Sequence, residues 1–354
     1  MINSRHSYYL HLFLALILMS SVPQIASAEE QSPKEIVLGH LADSYEWHMT
    51  NIGEKPVTIY LPVIIKTTEG WKCFSSRNIL PAGKKYGSLQ IAAEGDYKDK
   101  VVEILPDGNV KRPFDISITK TALGIMINSA VVLLLVMCAA RWYRKRKEID
   151  YAPKGLAGLL EMAVNSLMDS VIKPCVGSNY LKFAPYLLTV FFFIFINNVM
   201  GLIPFFPGGA NVTGNIAVTF LLAVATFCMV NIFGTKHYWK DIFWPDVPVP
   251  LKAIPLMPLI EFVGLFTKPF ALMIRLFANI TAGHAIVLSL TCVVFVTANM
   301  GVAINSTMSA VSVLFTIFMD FLELLVAFIQ AYVFTMLSAV FIGLAQTDPE
   351  PSNK

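Results

Sequence analysis

The stretch PFALMIRLFANITAGHAIVLSL, residues 269–290, places an arginine in the middle of a run otherwise fit for a membrane interior. A charged side chain at bilayer depth costs about 2.5–3.5 kcal/mol on insertion scales. Arg275 is followed one helical turn later by Asn279 and nine residues later by His284. The run sits inside an apolar block from about residue 258 to 300, which as helix is about 60 Å long, twice the ~30 Å hydrocarbon core. A single upright span cannot use that length. The block is therefore broken, with Pro269 as a kink site, or strongly tilted. Residues from about 305 to 346 raise the same problem, so the spacing predicts two long oblique helices joined near NMGVAINS.

From Ala253 to Gln346 only six side chains carry a charge or an imidazole: Glu261, Lys268, Arg275, His284, Asp320 and Glu323. Glu261, Lys268 and Arg275 recur every seven residues and share one helical face, with Asn279 one turn further on. On the second helix Asp320, Glu323 and Gln330 share a face. His284 falls close to the face opposite Arg275 and about 13 Å along the axis. Two polar environments thus flank one helix. Each residue also has a plain structural reading: Lys268 as a snorkelling cation, Glu261 as its ion-pair partner, Arg275 as a structural ion pair, His284 as a satisfied core histidine. Asp320 stands between structural and functional readings. Imidazole titrates near neutral pH, so His284 with Glu323 makes a proton relay. The set points further than any member.

Working outward, a chain of 354 residues that is 55% hydrophobic and only 14% charged is too apolar for an ordinary soluble domain. It reads as an all-α polytopic membrane protein with five membrane helices. The net charge of +3 lies at segment ends, which excludes a nucleic-acid partner. Residues 1–28 combine Arg5, a short apolar stretch and Ala26-Ser27-Ala28, a cleaved signal peptide rather than a first span. Residues 29–115 are polar and rich in strand formers, predicting a small β-rich extracytoplasmic domain in which PVTIYLPVIIKTTEGWKCFSS forms two strands turning at Thr67 to Gly70. His40 and His48 lack further ligands at recognised spacing, and no metal or cofactor site is expected. Of the five cysteines only Cys73 lies in this segment, which excludes an internal disulfide there.

The first span, 121–140, runs into RWYRKRK, so it enters from outside and its basic end is cytoplasmic. In APKGLAGLLEMAVNSLMDSVIKP, Leu156, Leu159, Leu160, Ala163, Leu167 and Val171 share a face opposite Glu161, Asn165 and Asp169. That is an amphipathic helix, either lying on the inner membrane surface or soluble. Spans at 183–206 and 216–233 form a hairpin that returns at GTKHYWK. Asn197 and Asn198 need partners in lipid, which calls for packing against other helices. Asn211-Val212-Thr213 fits a glycosylation sequon but reads better as a turn and helix cap. A proline-rich break precedes the long helices, and residues 348–354 form a cytoplasmic tail.

KPFALMIRLFANITAGHAIV resembles the arginine-bearing helix of subunit a of F-type ATP synthases, with R-L-F-x-N followed by A-G and a titratable residue. FLELLVAFIQAYVFTMLSAVFI is similar to that family's last helix, and NVTGNIAVT to the start of its third span. The resemblance covers roughly residues 118–347. It implies that Arg275 is the stator arginine, Asn279 the polar residue one turn later and Gln330 the glutamine facing that arginine, both lining a half-channel, and Glu261 and Lys268 charged positions on the approach to it. His284 and Glu323 then stand at two positions exchanged, relative to many bacterial members, in the mitochondrial manner. The exchange keeps one acid and one imidazole. The resemblance also implies a c-subunit ring, a b-subunit peripheral stalk and the rest of the synthase as partners, in a bacterial inner membrane. It says nothing of the 29–115 domain. One expectation is that His284→Ala impairs proton uptake more than the neighbouring Gly283→Ala.

Two other classes fit less well. An ion-coupled secondary transporter would show inverted repeats with broken spans in corresponding halves, and no such symmetry is visible. An intramembrane enzyme would need a nucleophile or metal set, and neither GxSG nor HExxH occurs.

Overall fold

The computed structural model describes residues 42–347 apart from 53–54, 82, 94, 96, 106–108, 146–154, 204–205 and 245–255. The expected signal segment and the 348–354 tail lie outside the described residues. Strand formers in alternation build β1 (Glu46–Ile52), β2 (Lys55–Tyr60), β3 (Pro62–Thr67), β4 (Gly70–Ser75), β5 (Leu89–Ile91), β6 (Val101–Ile104), β7 (Val110–Lys111) and β8 (Phe114–Asp115). They pair antiparallel as a β1–β2 hairpin and two three-stranded sheets, ordered β4-β3-β8 and β5-β6-β7. The β3–β4 hairpin turns at Thr67 and Gly70, where the sequence places it.

The inward positions of β3, Val63 and Ile65, are fully buried with Tyr45, Ile79, Leu89, Ile91 and Val101. Two polar groups enter this core with partners. The Tyr45 hydroxyl donates to Asp115 Oδ2 at 2.5 Å, and buried Glu103 accepts from the Thr68 hydroxyl at 2.7 Å. A short segment after β8 leads into α1 (Lys120–Lys145). The junction is tied: Lys120 N donates to Ser44 O at 2.9 Å and Thr121 N to Asp43 Oδ1 at 3.0 Å, which satisfies otherwise orphaned amides of the first turn.

The chain divides into two compact units. The first holds the β strands, the start of α1, residues 200–212 and residues 291–313. Within it Trp47 meets Phe206 edge-on at 5.3 Å between ring centroids. A Cβ on Gly124 of α1 would lie 2.7 Å from that of Ala210, so glycine permits the close approach.

The second unit is helical. α2 (Leu156–Leu167) continues through a wide π turn, Met168–Ile172, into Lys173–Val176. Pro174 cannot donate and its ring would crowd the Ser170 carbonyl, a conflict that the wide turn relieves. Leu167 and Val171 are buried, whereas Leu156 and Leu159 stay exposed, so only the far end of the apolar stripe is covered. α3 (Tyr180–Leu202) packs Phe183, Leu187, Val190, Phe191 and Ile194 inward. α4 (Ile216–Ile232) starts from an Asn215 cap whose side chain accepts from Ala217 N, so the cap is Asn215 rather than the Asn211–Thr213 stretch. α5 (Lys236–Phe243) follows α4 at a bend of 103°.

The last helices are long. α6 (Leu256–Thr297) spans 42 residues and α7 (Val302–Gln346) 45. α6 is continuous through Pro269, so a break there is not what accommodates its length. At 1.5 Å per residue each is about 60 Å or more. The turn between them, Ala298–Met300 and Gly301, lies where NMGVAINS predicts it; Gly301 adopts φ +101, a conformation that costs a side-chain-bearing residue. Among the described residues four helical stretches are long and apolar enough to cross a membrane, or five if the bent α4–α5 pair counts as one span. The structure is thus mostly helical with a β-rich N-terminal part.

Candidate functional site

α6 and α7 carry the six charged or imidazole side chains. One cross-helix contact joins them: His284 Nδ1 lies 2.9 Å from Glu323 Oε1. The Glu323 side chain is 4% exposed and that of His284 16%, so the pair is withdrawn from the surface. The contact has ion-pair distance without hydrogen-bond alignment, and Glu323 Oε1 has no aligned donor among the described residues. Asp320, one turn before Glu323, is half-buried and in electrostatic range of both Glu323 and His284. The acid and the imidazole that the spacing singled out do meet.

Gly283 makes that meeting possible. A Cβ there would lie 3.0 Å from Glu323 Oε1 and 3.2 Å from its Cδ. The carboxyl therefore lies down on the bare backbone of α6 beside His284. The expectation that His284→Ala is the more damaging of the two changes leaves Gly283 without a role of its own, yet the A-G step in front of the titratable residue is the floor on which the acid lies. A glycine inside an otherwise apolar helix, which costs about 1 kcal/mol against alanine, was the available signal.

Arg275 lies on a different side of α6. It is exposed in this chain and makes no ion pair or hydrogen bond among the described residues. Asn279, Glu261 and Lys268 are exposed on the same helix. The expected Glu261–Lys268 pair does not form; the Lys268 ammonium lies 5.9 Å from the ring centre of Phe341, and Glu261 is in electrostatic range of Tyr238. Seven residues is two turns, too far for these side chains to close without help. Gln330 is buried at 4% exposure and bonds to no described residue, so it does not reach Arg275 within this chain. No group of three or more His, Cys, Asp or Glu that could hold a metal occurs among the described residues.

The two adjacent asparagines of α3 are both buried and both partnered. Asn197 accepts from Asn128 Nδ2 at 2.9 Å and donates to its own helix at Phe193 O. Asn198 donates to Ala327 O and accepts from Thr213 Oγ1. These are the partners the sequence requires of amides in lipid.

Fold and site together define a polytopic, mostly helical membrane protein with a buried acid–imidazole pair between two over-long helices. Residues 123–343 match the model of the family described as ATP synthase A chain, and residues 36–116 that of a family described as a domain of unknown function. The chain is 46% identical over 251 residues to ATP synthase subunit a 2 of Chlorobaculum tepidum, covering 68% of each chain. It is 43% identical over 235 residues to ATP synthase subunit a of Chloroherpeton thalassium, covering 66% of this chain and 67% of that one. Against subunit a of Chlorobium phaeobacteroides (strain DSM 266) the identity is 45% over 242 residues and 67% of each. The chain belongs to the ATP synthase A chain family. It is a membrane subunit of the rotary, proton-translocating ATP synthase and not an enzyme by itself.

Proposed function

We propose that the chain is the stator against which a c-subunit ring turns, held by a b-subunit stalk, with its proton path and barrier on α6 and α7. A cleaved signal leaves the β domain outside the cytoplasm, five spans follow with α4 as the third, and the C-terminus is cytoplasmic. α2 lies on the inner surface, which its exposed Leu156 and Leu159 suit. Protons enter from outside along a half-channel that includes His284, Glu323, Asn279 and Gln330. Asp320, in range of the pair, biases its charge. A ring carboxylate is protonated there, moves into lipid, and after nearly a full turn releases its proton into a second half-channel toward the cytoplasm, with Glu261 and Lys268 on the approach.

Arg275 separates the two paths. Its fixed charge favours the ionised form of a carboxylate that comes beside it and repels protons that would pass straight through. A 100 mV potential supplies about 2.3 kcal/mol per charge moved, so several protons must be pooled for each ATP.

The observation that carries this reading is the separation of roles on one helix. The buried His284–Glu323 pair stands nine residues from an arginine that is exposed and has no ion pair or hydrogen bond among the described residues. A charge so placed on an apolar helix calls for a carboxylate from another subunit. In the assembled complex, Arg275→Ala should abolish ATP-driven proton pumping while the complex still assembles. Pumping at the normal rate in that variant would sink the stator-charge role.

A further inference from the structure

Asn198 and Asn197 stand side by side at mid-helix but serve different neighbours. Asn198 is 3% exposed, and its Nδ2 donates to the backbone carbonyl of Ala327 on α7 at 3.3 Å. Its Oδ1 accepts from the Thr213 hydroxyl at 2.6 Å. Only one amide orientation satisfies both contacts. A carbonyl cannot donate, so Nδ2 must face Ala327, which leaves Oδ1 for the hydroxyl. The Ala327 carbonyl thereby fixes which way Asn198 points, and the Thr213 hydroxyl braces the other end of the amide.

Ala327 lies one turn past Glu323 and three residues before Gln330, and is itself buried. Apolar helices in lipid are held mainly by dispersion and close packing, which resist rotation and axial sliding weakly. A polar contact at one height therefore sets the register of α7. Further along α7, Ser338 contacts Thr226 and Gln346 bonds Phe233 O, both well beyond Glu323. Besides His284, the Asn198 amide is the polar contact closest to Glu323 along the helix.

We propose that Asn198, braced by Thr213, is a positioning residue that holds α7 so that Glu323 meets His284. This rests on the relay reading above and assigns the asparagine no proton of its own. The titratable groups at the contact are His284 on α6 and Glu323 and Asp320 on α7.

The test uses the whole synthase in proteoliposomes, with assembly quantified and ATP synthesis followed against the pH of the proton-donating compartment. Thr213→Val should lower the maximal rate about three- to tenfold, the range expected for one lost hydrogen bond, and shift the pH profile at wild-type assembly. Thr213→Ser should restore both. Asn198→Leu should reproduce the shift, and adding Thr213→Val to it should change nothing more. An unshifted profile in Thr213→Val, a loss that merely tracks reduced assembly, or additive effects in the double variant would overturn the proposal. Arg275→Ala and His284→Ala run alongside as markers. If both behave normally the relay reading itself fails; if both are impaired while Thr213→Val is silent, only the positioning role falls.

Discussion

An alanine at Gly283 acts on Glu323 before it acts on α6. Its methyl carbon would lie 3.0 Å from Oε1, 3.2 Å from Cδ and 3.4 Å from Cγ of Glu323. Contacts of 3.0–3.4 Å are tighter than nearly all real Cβ contacts, so the carboxyl must give by a few tenths of an ångström. The His284–Glu323 contact starts at 2.9 Å, and a retreat away from α6 lengthens it to the ~3.2 Å edge of hydrogen-bond reach. A proton passes between two groups only within hydrogen-bond reach, so proton entry should slow about threefold or more. Helix propensity pulls the other way, since alanine gains about 1 kcal/mol over glycine, and α6 should stay folded. The assay is ATP synthesis and ATP-driven pumping in vesicles, normalised to assembled complex. Glu323→Asp, one methylene shorter, should recover part of the rate when combined with Gly283→Ala. An assembled Gly283→Ala complex with a wild-type rate and pH profile would refute the reasoning.

Exchanging the pair, His284→Glu with Glu323→His, keeps one acid and one imidazole and should pump better than either single variant; pumping no better than the worse single variant would argue that the positions are not coupled. Gly343→Ala should prevent assembly, because its Cβ would lie 1.9 Å from the Cys175 carbonyl oxygen, a backbone clash that no rotamer relieves, and overpacking of this kind costs about 1–3 kcal/mol or more; normal amounts of the chain in membranes would contradict this. Burial holds the Glu46 carboxyl above its usual range, with His48 pulling the other way. The protonated form is thus favoured by the fold, its stability is present at low pH and is lost as pH rises through the raised value. Glu46→Gln should therefore increase amide-exchange protection of β1 and β2 at pH 7 and change little below about pH 4.

The long helices were legible because hydrocarbon thickness is a fixed ruler. Forty apolar residues exceed it, and the small polar run with Gly301 leaves one place to turn. The outcome at Pro269 was less legible. Proline removes one donor and crowds one carbonyl, and whether a helix breaks depends on what packs around it, which local sequence does not state. The third crossing shows a similar limit. α4 holds 17 residues and turns by 103° into α5, so its status as a full span rests on how the bent pair is counted. The amphipathic stripe of α2 was readable from periodicity, but periodicity does not reveal that only its Leu167–Val171 end is covered by this chain.

The site divides along the same line. Charges in an apolar block announce themselves by cost, so Arg275, His284 and Glu323 stood out. What brings them into geometry did not. Gly283 has no side chain to notice, and the Thr213–Asn198–Ala327 chain crosses three segments that are distant in sequence. Both supports act on Glu323, one by leaving room beneath its carboxyl and the other by holding the turn after it. Arg275 has no equivalent support among the described residues. It is exposed, with no ion pair or hydrogen bond to a described residue. A buried pair braced from two sides can keep one geometry through every cycle. An unbraced charge on a long stem can follow a partner that arrives and leaves. On the proposed reading that contrast separates a fixed proton relay from a stator charge facing a moving ring, and it predicts that Arg275 reorients between ring positions while His284 and Glu323 do not.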